Sequence, residues 1–169
     1  MKCRLGLLLA VLLAASCTTA PKPVELAEAR VLPLALDQAF DFRKVRRFIN
    51  QPETFADTPN EVILFERRQI NYGALSAEER KQREGTYFQI WWRARRPADL
   101  TVRFEYRQAK LGNDVRAQEV SYDAAKGTVK TSFAVIGDNY LWDGPVTAWR
   151  CLLIENKRIV AVTQSYLWK

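Results

Sequence analysis

The chain has 169 residues, which is enough for one domain and too few for two of ordinary size. Apolar residues make up 48% and charged residues 27%, which excludes a disordered or multi-span membrane chain. The formal net charge is +7 and histidine is absent, so chemistry that needs an imidazole base, metal ligand or pH switch is excluded.

The N-terminal residues have the pattern of an export signal. Lys2 and Arg4 precede an apolar run over residues 5–15, which is too short to span a bilayer and ends in small residues. Cys17 follows and closes the sequence Leu-Ala-Ala-Ser-Cys, which resembles the lipobox of bacterial lipoproteins. The resemblance implies cleavage before Cys17, acylation of that cysteine and, with Thr18 in place of aspartate, an outer-membrane location facing the periplasm. An ordinary secreted protein, cleaved at a nearby alanine, is the alternative.

These features divide the chain into three parts. They are a signal peptide over residues 1–16, a lipidated cysteine with a flexible, proline-containing tether over 17–33, and a single β domain over 34–169. Loss of the signal would lower the formal charge from +7 to +5, because two basic and no acidic side chains leave. Cys151 would then lack a disulfide partner, and its apolar neighbours predict a buried thiol.

Elements are predicted in chain order from periodicity. Residues 36–49 fit a helical face and a strand equally well, so they stay unassigned. Alternation predicts a strand over 61–70, and the capping-box pattern of Ser76 and Glu79 predicts a surface helix over 77–84. Six further strands separated by turn residues are expected at 86–95, 100–109, 115–122, 128–136, 146–155 and 158–168.

Seven short antiparallel strands predict a mainly β domain. In architecture this resembles an immunoglobulin-like or fibronectin-like sandwich, although the paired cysteines of true immunoglobulin domains are missing. A small closed β-barrel is the alternative fold, because strand number alone does not distinguish a barrel from two packed sheets.

Aromatic and basic residues mark a candidate binding surface. The strand over 86–95 places Trp92 on its apolar face and Trp91 on the opposite face. Basic residues follow on that second face and on the polar face of the next strand: Arg93, Arg95 and Arg103. Such a surface would bind an anionic partner, such as lipopolysaccharide, peptidoglycan or an acidic protein, through charge and cation–π contacts. Alternatively, residues 34–60 cover Trp91 and the arginines only solvate the sheet.

Two further groups are candidates. A basic cluster near the tether contains Arg43, Lys44, Arg46 and Arg47. It predicts contact with anionic lipid head groups, although any exposed face would explain the charges equally well. Tyr140 and Trp142 lie in a predicted loop, where aromatic rings stack on sugars or close the end of a sandwich core.

No sequence motif indicates a reaction. Two carboxylates suffice for glycoside hydrolysis, but no pair stands out among Glu66, Asp99, Glu105, Asp138 and Asp143. The sequence contains no nucleophile elbow, glycine-rich phosphate loop or set of thiolate metal ligands. We therefore expect no enzymatic activity, no cofactor and no bound metal.

The predicted function is a lipid-anchored, non-catalytic binding or assembly module of the outer membrane that faces the periplasm and recruits an envelope protein. The alternative is a glycan-binding or small-ligand-binding domain that uses Trp91, Tyr140 or Trp142. A carboxylate-based hydrolase ranks below both. Nucleic acid is not expected as a partner, because export removes the chain from it.

Overall fold

The computed structural model describes residues 20–51, 59–70, 72–74 and 76–169. In that part of the chain, six strands and three helices follow one another: β1 (Val24–Leu26), β2 (Phe40–Asn50), α1 (Glu61–Ile70), α2 (Ala77–Arg83), β3 (Gly85–Gln108), β4 (Arg116–Ile136), α3 (Asp138–Asp143), β5 (Val146–Glu155) and β6 (Arg158–Gln164). The predicted mainly β class is therefore confirmed. Cys17 and the predicted signal peptide lie outside the described residues.

The strands form one antiparallel sheet built around the long β3–β4 hairpin. The order is β1–β4–β3–β5–β6, and β2 also pairs with β3. β4 runs along one edge of β3. The other edge of β3 has two partners in succession, β2 against residues 85–94 and β5 against residues 101–108. The two ends of β3 therefore belong to different groups of strands.

A bend in the middle of the hairpin folds the sheet into two layers. The pairing register shifts just after Ala94, and Pro97 follows within β3. On β4, Ala124 and Gly127 have φ values of 46° and 86°, a left-handed conformation that interrupts the pleat. The Asp99 carboxylate accepts the Ala124 backbone N–H at 2.7 Å and so fixes the bend.

We call the two groups of strands the front layer and the back layer. The front layer contains β2, the first half of β3 and the second half of β4. The back layer contains β1, the first half of β4, the second half of β3, β5 and β6. Phe88 and Phe104 of the same strand pack with ring centroids 4.6 Å apart, because the bend brings the two halves of β3 face to face.

The hydrophobic core lies between the layers. Trp92 is fully buried there, as its alternation with Trp91 predicts. Its indole N–H donates to the Thr131 hydroxyl at 2.8 Å, and its ring meets Tyr122 edge-on at 5.3 Å. Cys151 is also fully buried in this core. The arrangement is a sandwich-like pair of layers made from one folded sheet.

Several sequence predictions need correction. The strands expected at 86–95 and 100–109 are two halves of β3, and those at 115–122 and 128–136 are two halves of β4. Proline and glycine bend β3 and β4 at the positions where the sequence analysis expects turns between separate strands. The seven-stranded immunoglobulin-like arrangement is not found in the described residues. The barrel alternative also fails there, because β2 and β6 approach each other without a ladder that closes the sheet.

The strand predicted over residues 61–70 is wrong, because this segment is the helix α1. Asn60 caps it: the side-chain oxygen accepts the backbone N–H groups of Val62 and Ile63 at 3.0 and 3.3 Å. The helix predicted over 77–84 is confirmed as α2, with the expected reciprocal bonds between Ser76 and Glu79. No helix in the described ranges is long and apolar enough to cross a membrane.

The segment before β2 lies along the back layer. β1 pairs with residues 117–119 of β4. Further on, the Ala35 and Asp37 backbone N–H groups donate to the carbonyl oxygens of Ile159 and Val160 in β6 at 2.8 and 3.0 Å. Residues 27–33, which we call the N-terminal strap, cross between these two attachments. A free tether would therefore have to end before Val24.

Candidate functional site

The outer surface of the front layer combines basic and aromatic side chains from three strands. Trp91 on β3 lies opposite Lys44 on β2 and Lys130 on β4, and cross-strand partners project to the same side of a sheet. By the same rule, Arg46 lies beside Gln89. We call this surface the Trp91 face and define it by Lys44, Arg46, Gln89, Trp91, Arg93 and Lys130.

Cations flank the indole at the centre of the Trp91 face. The Arg46 guanidinium carbon lies 5.6 Å from the Trp91 ring centroid, and the Lys44 Nζ lies 6.0 Å from it. Both distances allow a cation–π attraction. β2 covers part of Trp91 and leaves the rest exposed to solvent. A partner could therefore reach the ring and the two cations together.

Positive charge dominates this part of the sheet. The strand segments over residues 40–50, 85–95 and 127–136 contain seven basic residues and one acidic residue, Asp41. Asp41 already pairs with Arg43 at 3.1 Å and with Arg95 at 3.7 Å. The exposed basic residues of the Trp91 face form no ion pair within the described part of the chain. The electrostatic field of these cations is therefore not neutralised by a neighbouring carboxylate, and it would attract an anionic partner.

An aromatic cavity of about 410 Å³ adjoins the Trp91 face. Tyr72 and Tyr87 stack with centroids 4.8 Å apart, and Phe48 and Pro23 complete the apolar wall. Burial raises the pKa of Tyr87, whose hydroxyl donates to the Arg83 carbonyl oxygen at 2.8 Å. The cavity offers aromatic surface beside the cations.

The predicted basic cluster divides between two places. Lys44 and Arg46 belong to the Trp91 face, whereas Arg43 sits at a register shift in β2 and pairs with Asp41. The Arg47 guanidinium donates to the Val146 carbonyl oxygen at 3.0 Å and so links β2 to β5. Arg95 is held by Asp41 and by the Gln38 carbonyl oxygen.

Arg103 lies apart from the Trp91 face, because it belongs to the back layer. It is buried in a row of charges, with Glu119 at 2.6 Å and Glu105 at 3.8 Å. Glu105 also accepts from Arg150 at 2.5 Å. The N-terminal strap covers the row, and Arg103 donates to the Arg30 carbonyl oxygen at 2.7 Å. The sequence analysis grouped Arg103 with Trp91 because both occupy polar positions on strands expected to follow one another, but these segments are the two halves of β3 and the bend places them in different layers.

Tyr140 and Trp142 lie on the short helix α3, where the sequence predicts a loop. Trp142 is largely exposed and Tyr140 is partly buried. Gln108 anchors the helix by donating to the Asn139 and Gly144 carbonyl oxygens at 2.6 and 2.8 Å. The two aromatic residues are not among the strand residues that form the Trp91 face.

The carboxylates considered for hydrolysis occupy separate elements. Glu105 belongs to the buried row, and Asp143 pairs with Arg116 at 2.8 Å. Asp99 lines a cavity of about 660 Å³ beside the N-terminal strap, but it already accepts the Ala124 N–H. Glu66 and Asp138 lie on α1 and α3. Among the residues that the structure describes, no three His, Cys, Asp or Glu side chains are grouped to hold a metal.

Sequence reasoning missed Lys130 and the aromatic cavity. Polar residues at 128, 130 and 132 alternate with apolar ones, which was a usable signal for an outward face. No family model, curated protein or solved structure matches this chain. The fold and the Trp91 face define the class: this chain is a mainly β protein with a basic, aromatic surface on one layer of its sheet.

Proposed function

We propose that this protein is a lipid-anchored, non-catalytic binding module of the bacterial envelope, held in the outer membrane by an acylated Cys17 and facing the periplasm. The observation that carries the binding role is the unpaired positive charge around Trp91. The signal and lipobox pattern over residues 1–17 supports the anchor.

Charge attraction, apolar contact and confinement to the membrane would each contribute to binding. Lys44, Arg46 and Lys130 attract an anionic partner over a distance of about 8–10 Å at ordinary ionic strength. The Trp91 ring then adds apolar contact at the centre of the surface. Acyl chains at Cys17 would confine the protein to the membrane, which raises its effective concentration toward envelope partners.

Two measurements test the proposal separately. Labelled palmitate should be incorporated into the wild-type chain and not into the Cys17→Ser variant, and incorporation that persists in the variant would contradict the anchor. In detergent-solubilised envelope, where no bilayer competes for the face, capture of an acidic envelope protein by the tagged chain should be lost in a Lys44→Glu, Arg46→Glu variant. The matched control is Lys157→Glu, Arg158→Glu, which makes the same charge change on the back layer. Equal capture by both variants would contradict the binding role of the Trp91 face.

Glycan binding is the second candidate function, and the aromatic cavity favours it. Tyr72 and Tyr87 could stack on sugar rings while Gln89 and Ser132 form hydrogen bonds. Peptidoglycan fragments should then change the intrinsic fluorescence of the wild-type protein and not that of a Tyr72→Ala variant. A protein-assembly module should show no response to the fragments.

A further inference from the structure

The chain enters the described structure beside the Trp91 face. Pro23 lines the aromatic cavity together with Phe48 and Tyr87. Cys17 precedes Pro23 by six residues, and an extended chain of that length reaches about 20 Å. Acyl chains at Cys17 would therefore hold the Trp91 face close to the bilayer.

An exposed apolar helix, α1, lies close in sequence to the aromatic cavity, because it ends two residues before Tyr72. α1 presents four consecutive large apolar residues, Val62, Ile63, Leu64 and Phe65, of which Val62 is 68% and Phe65 60% exposed. None of them belongs to the hydrophobic core cluster. Tyr72, two residues after α1 ends, stacks on Tyr87 at 4.8 Å and ties this segment to the front layer. A helix of ten residues is about 15 Å long, so the whole of α1 lies within about 25 Å of the stacked tyrosines.

We infer that the Trp91 face, together with α1, docks on the anionic lipid surface of the membrane that carries the anchor; the inference rests on the proposed acylation of Cys17. Anionic head groups match the unpaired charges of Lys44, Arg46 and Lys130. Tryptophan and tyrosine favour the interfacial region, and exposed apolar helix residues gain by entering it.

Lipid explains more of this surface than a protein or a glycan does. A glycan would account for the stacked tyrosines, and an acidic protein would account for the charges. Neither partner requires that an exposed apolar helix and the exit toward Cys17 lie beside the same basic face. Docking would turn the back layer, with the N-terminal strap and the cavity of about 660 Å³, toward the periplasm.

The test uses the mature lipidated chain in vesicles and compares the accessibility of its lysines. The protein is reconstituted into vesicles of phosphatidylcholine alone or of equimolar phosphatidylcholine and phosphatidylglycerol. An amine-reactive reagent is then applied, and the rate at each lysine is read by mass spectrometry. Lys44 and Lys130 should react about tenfold more slowly on the anionic vesicles, while Lys157 on the back layer reacts equally on both.

Two variants remove the docking by different routes. Loss of the two cations lowers the docking equilibrium constant by about 30-fold, and the added negative charges lower it further, so Lys44→Glu with Arg46→Glu should abolish protection of Lys130. Phe65→Ser should weaken that protection about tenfold through lost apolar burial. Phe65 lies outside the core, so this variant keeps its fold. The control Lys157→Glu, Arg158→Glu should leave protection of Lys130 unchanged.

The anchor and the docking face have separate readouts. Flotation of the chain with either vesicle reports the anchor, whereas lysine protection reports the face. A chain that floats but shows equal rates for Lys130 on both vesicles overturns the docking and leaves the anchor standing. A chain that does not float contradicts the proposed acylation. Protection of Lys130 by peptidoglycan fragments or by an acidic protein, without protection by anionic vesicles, would assign the face to that partner instead.

Discussion

Replacing Arg150 with glutamine should destabilise the protein more than replacing its ion-pair partner Glu105 with glutamine. The Glu105 side chain is only 3% exposed, whereas that of Arg150 is 37% exposed and also packs on Trp168. Arg150→Gln therefore leaves a buried carboxylate whose remaining cation, Arg103 at 3.8 Å, is shared with Glu119. Glu105→Gln leaves a guanidinium that water can reach.

The expected magnitudes follow from this difference in burial. Removing one partner of a buried ion pair costs about 3–5 kcal/mol, because it leaves an uncompensated charge. Arg103 offsets part of that cost, so Arg150→Gln should lose about 3 kcal/mol. Pairs whose remaining charge is hydrated contribute about 0–1 kcal/mol, which sets the loss for Glu105→Gln near 1 kcal/mol. At about 4 °C per kcal/mol, Tm should fall by about 12 °C and 4 °C.

Thermal and urea unfolding followed by circular dichroism would measure both losses. The double variant with glutamine at both positions should be more stable than Arg150→Gln alone, because no unpaired carboxylate remains. Arg43→Gln is a control that removes a more exposed pair, 3.1 Å to Asp41 with side chains 50% and 27% exposed, and it should hardly change Tm. A loss for Glu105→Gln that equals or exceeds the loss for Arg150→Gln would refute the reasoning.

Three other predictions concern buried residues. Burial raises the pKa of Tyr106 from 10.0 to about 12. Between these pH values the tyrosine is deprotonated in the unfolded chain and still protonated in the native protein, so the free energy of unfolding should fall as pH rises. Tyr106→Phe should remove this fall from the pH profile of Tm. Burial also raises the pKa of the Cys151 thiol, so the native protein at pH 9 should not react with Ellman's reagent until it is unfolded, and fast native labelling would contradict its burial. In Gly85→Ala, at φ +146°, a Cβ would overlap the Val135 carbonyl oxygen, so we expect insoluble or unfolded protein on expression; a soluble variant with the wild-type Tm would count against this.

Local signals predicted those parts of the fold that depend on near neighbours. Alternation placed Trp92 inside and Trp91 outside, and the capping box located α2. The same signals failed at the bend, because Pro97 and Gly127 serve equally in a turn and in a bent strand. Whether the chain reverses there depends on the partner strand, which no local pattern specifies.

Long-range pairing also limited prediction of the candidate site. Lys44 and Lys130 reach Trp91 only through the register of β2 and β4, each about 40 or more residues away in sequence, and alternation does not fix a register between distant strands. The segment over 61–70 was misassigned because a short apolar run fits both periods, and the cap at Asn60 was the signal that distinguishes them. Burial of Arg103 was equally hidden from alternation, since its partner Glu119 lies on another strand.

The attachment of the N-terminal strap to β6 fixes an order of assembly. The Ile159 backbone N–H donates to the carbonyl oxygen of Pro33, the last residue of the strap, at 2.9 Å, so this bond closes a loop that contains almost the whole domain. The strap can complete this attachment only after β6 is in place, so it closes late over the row of charges that contains Arg103 and Glu105. A chain that lacked β6 would have its core strands but no attachment point for the end of the strap, and its charged row would be more open to water.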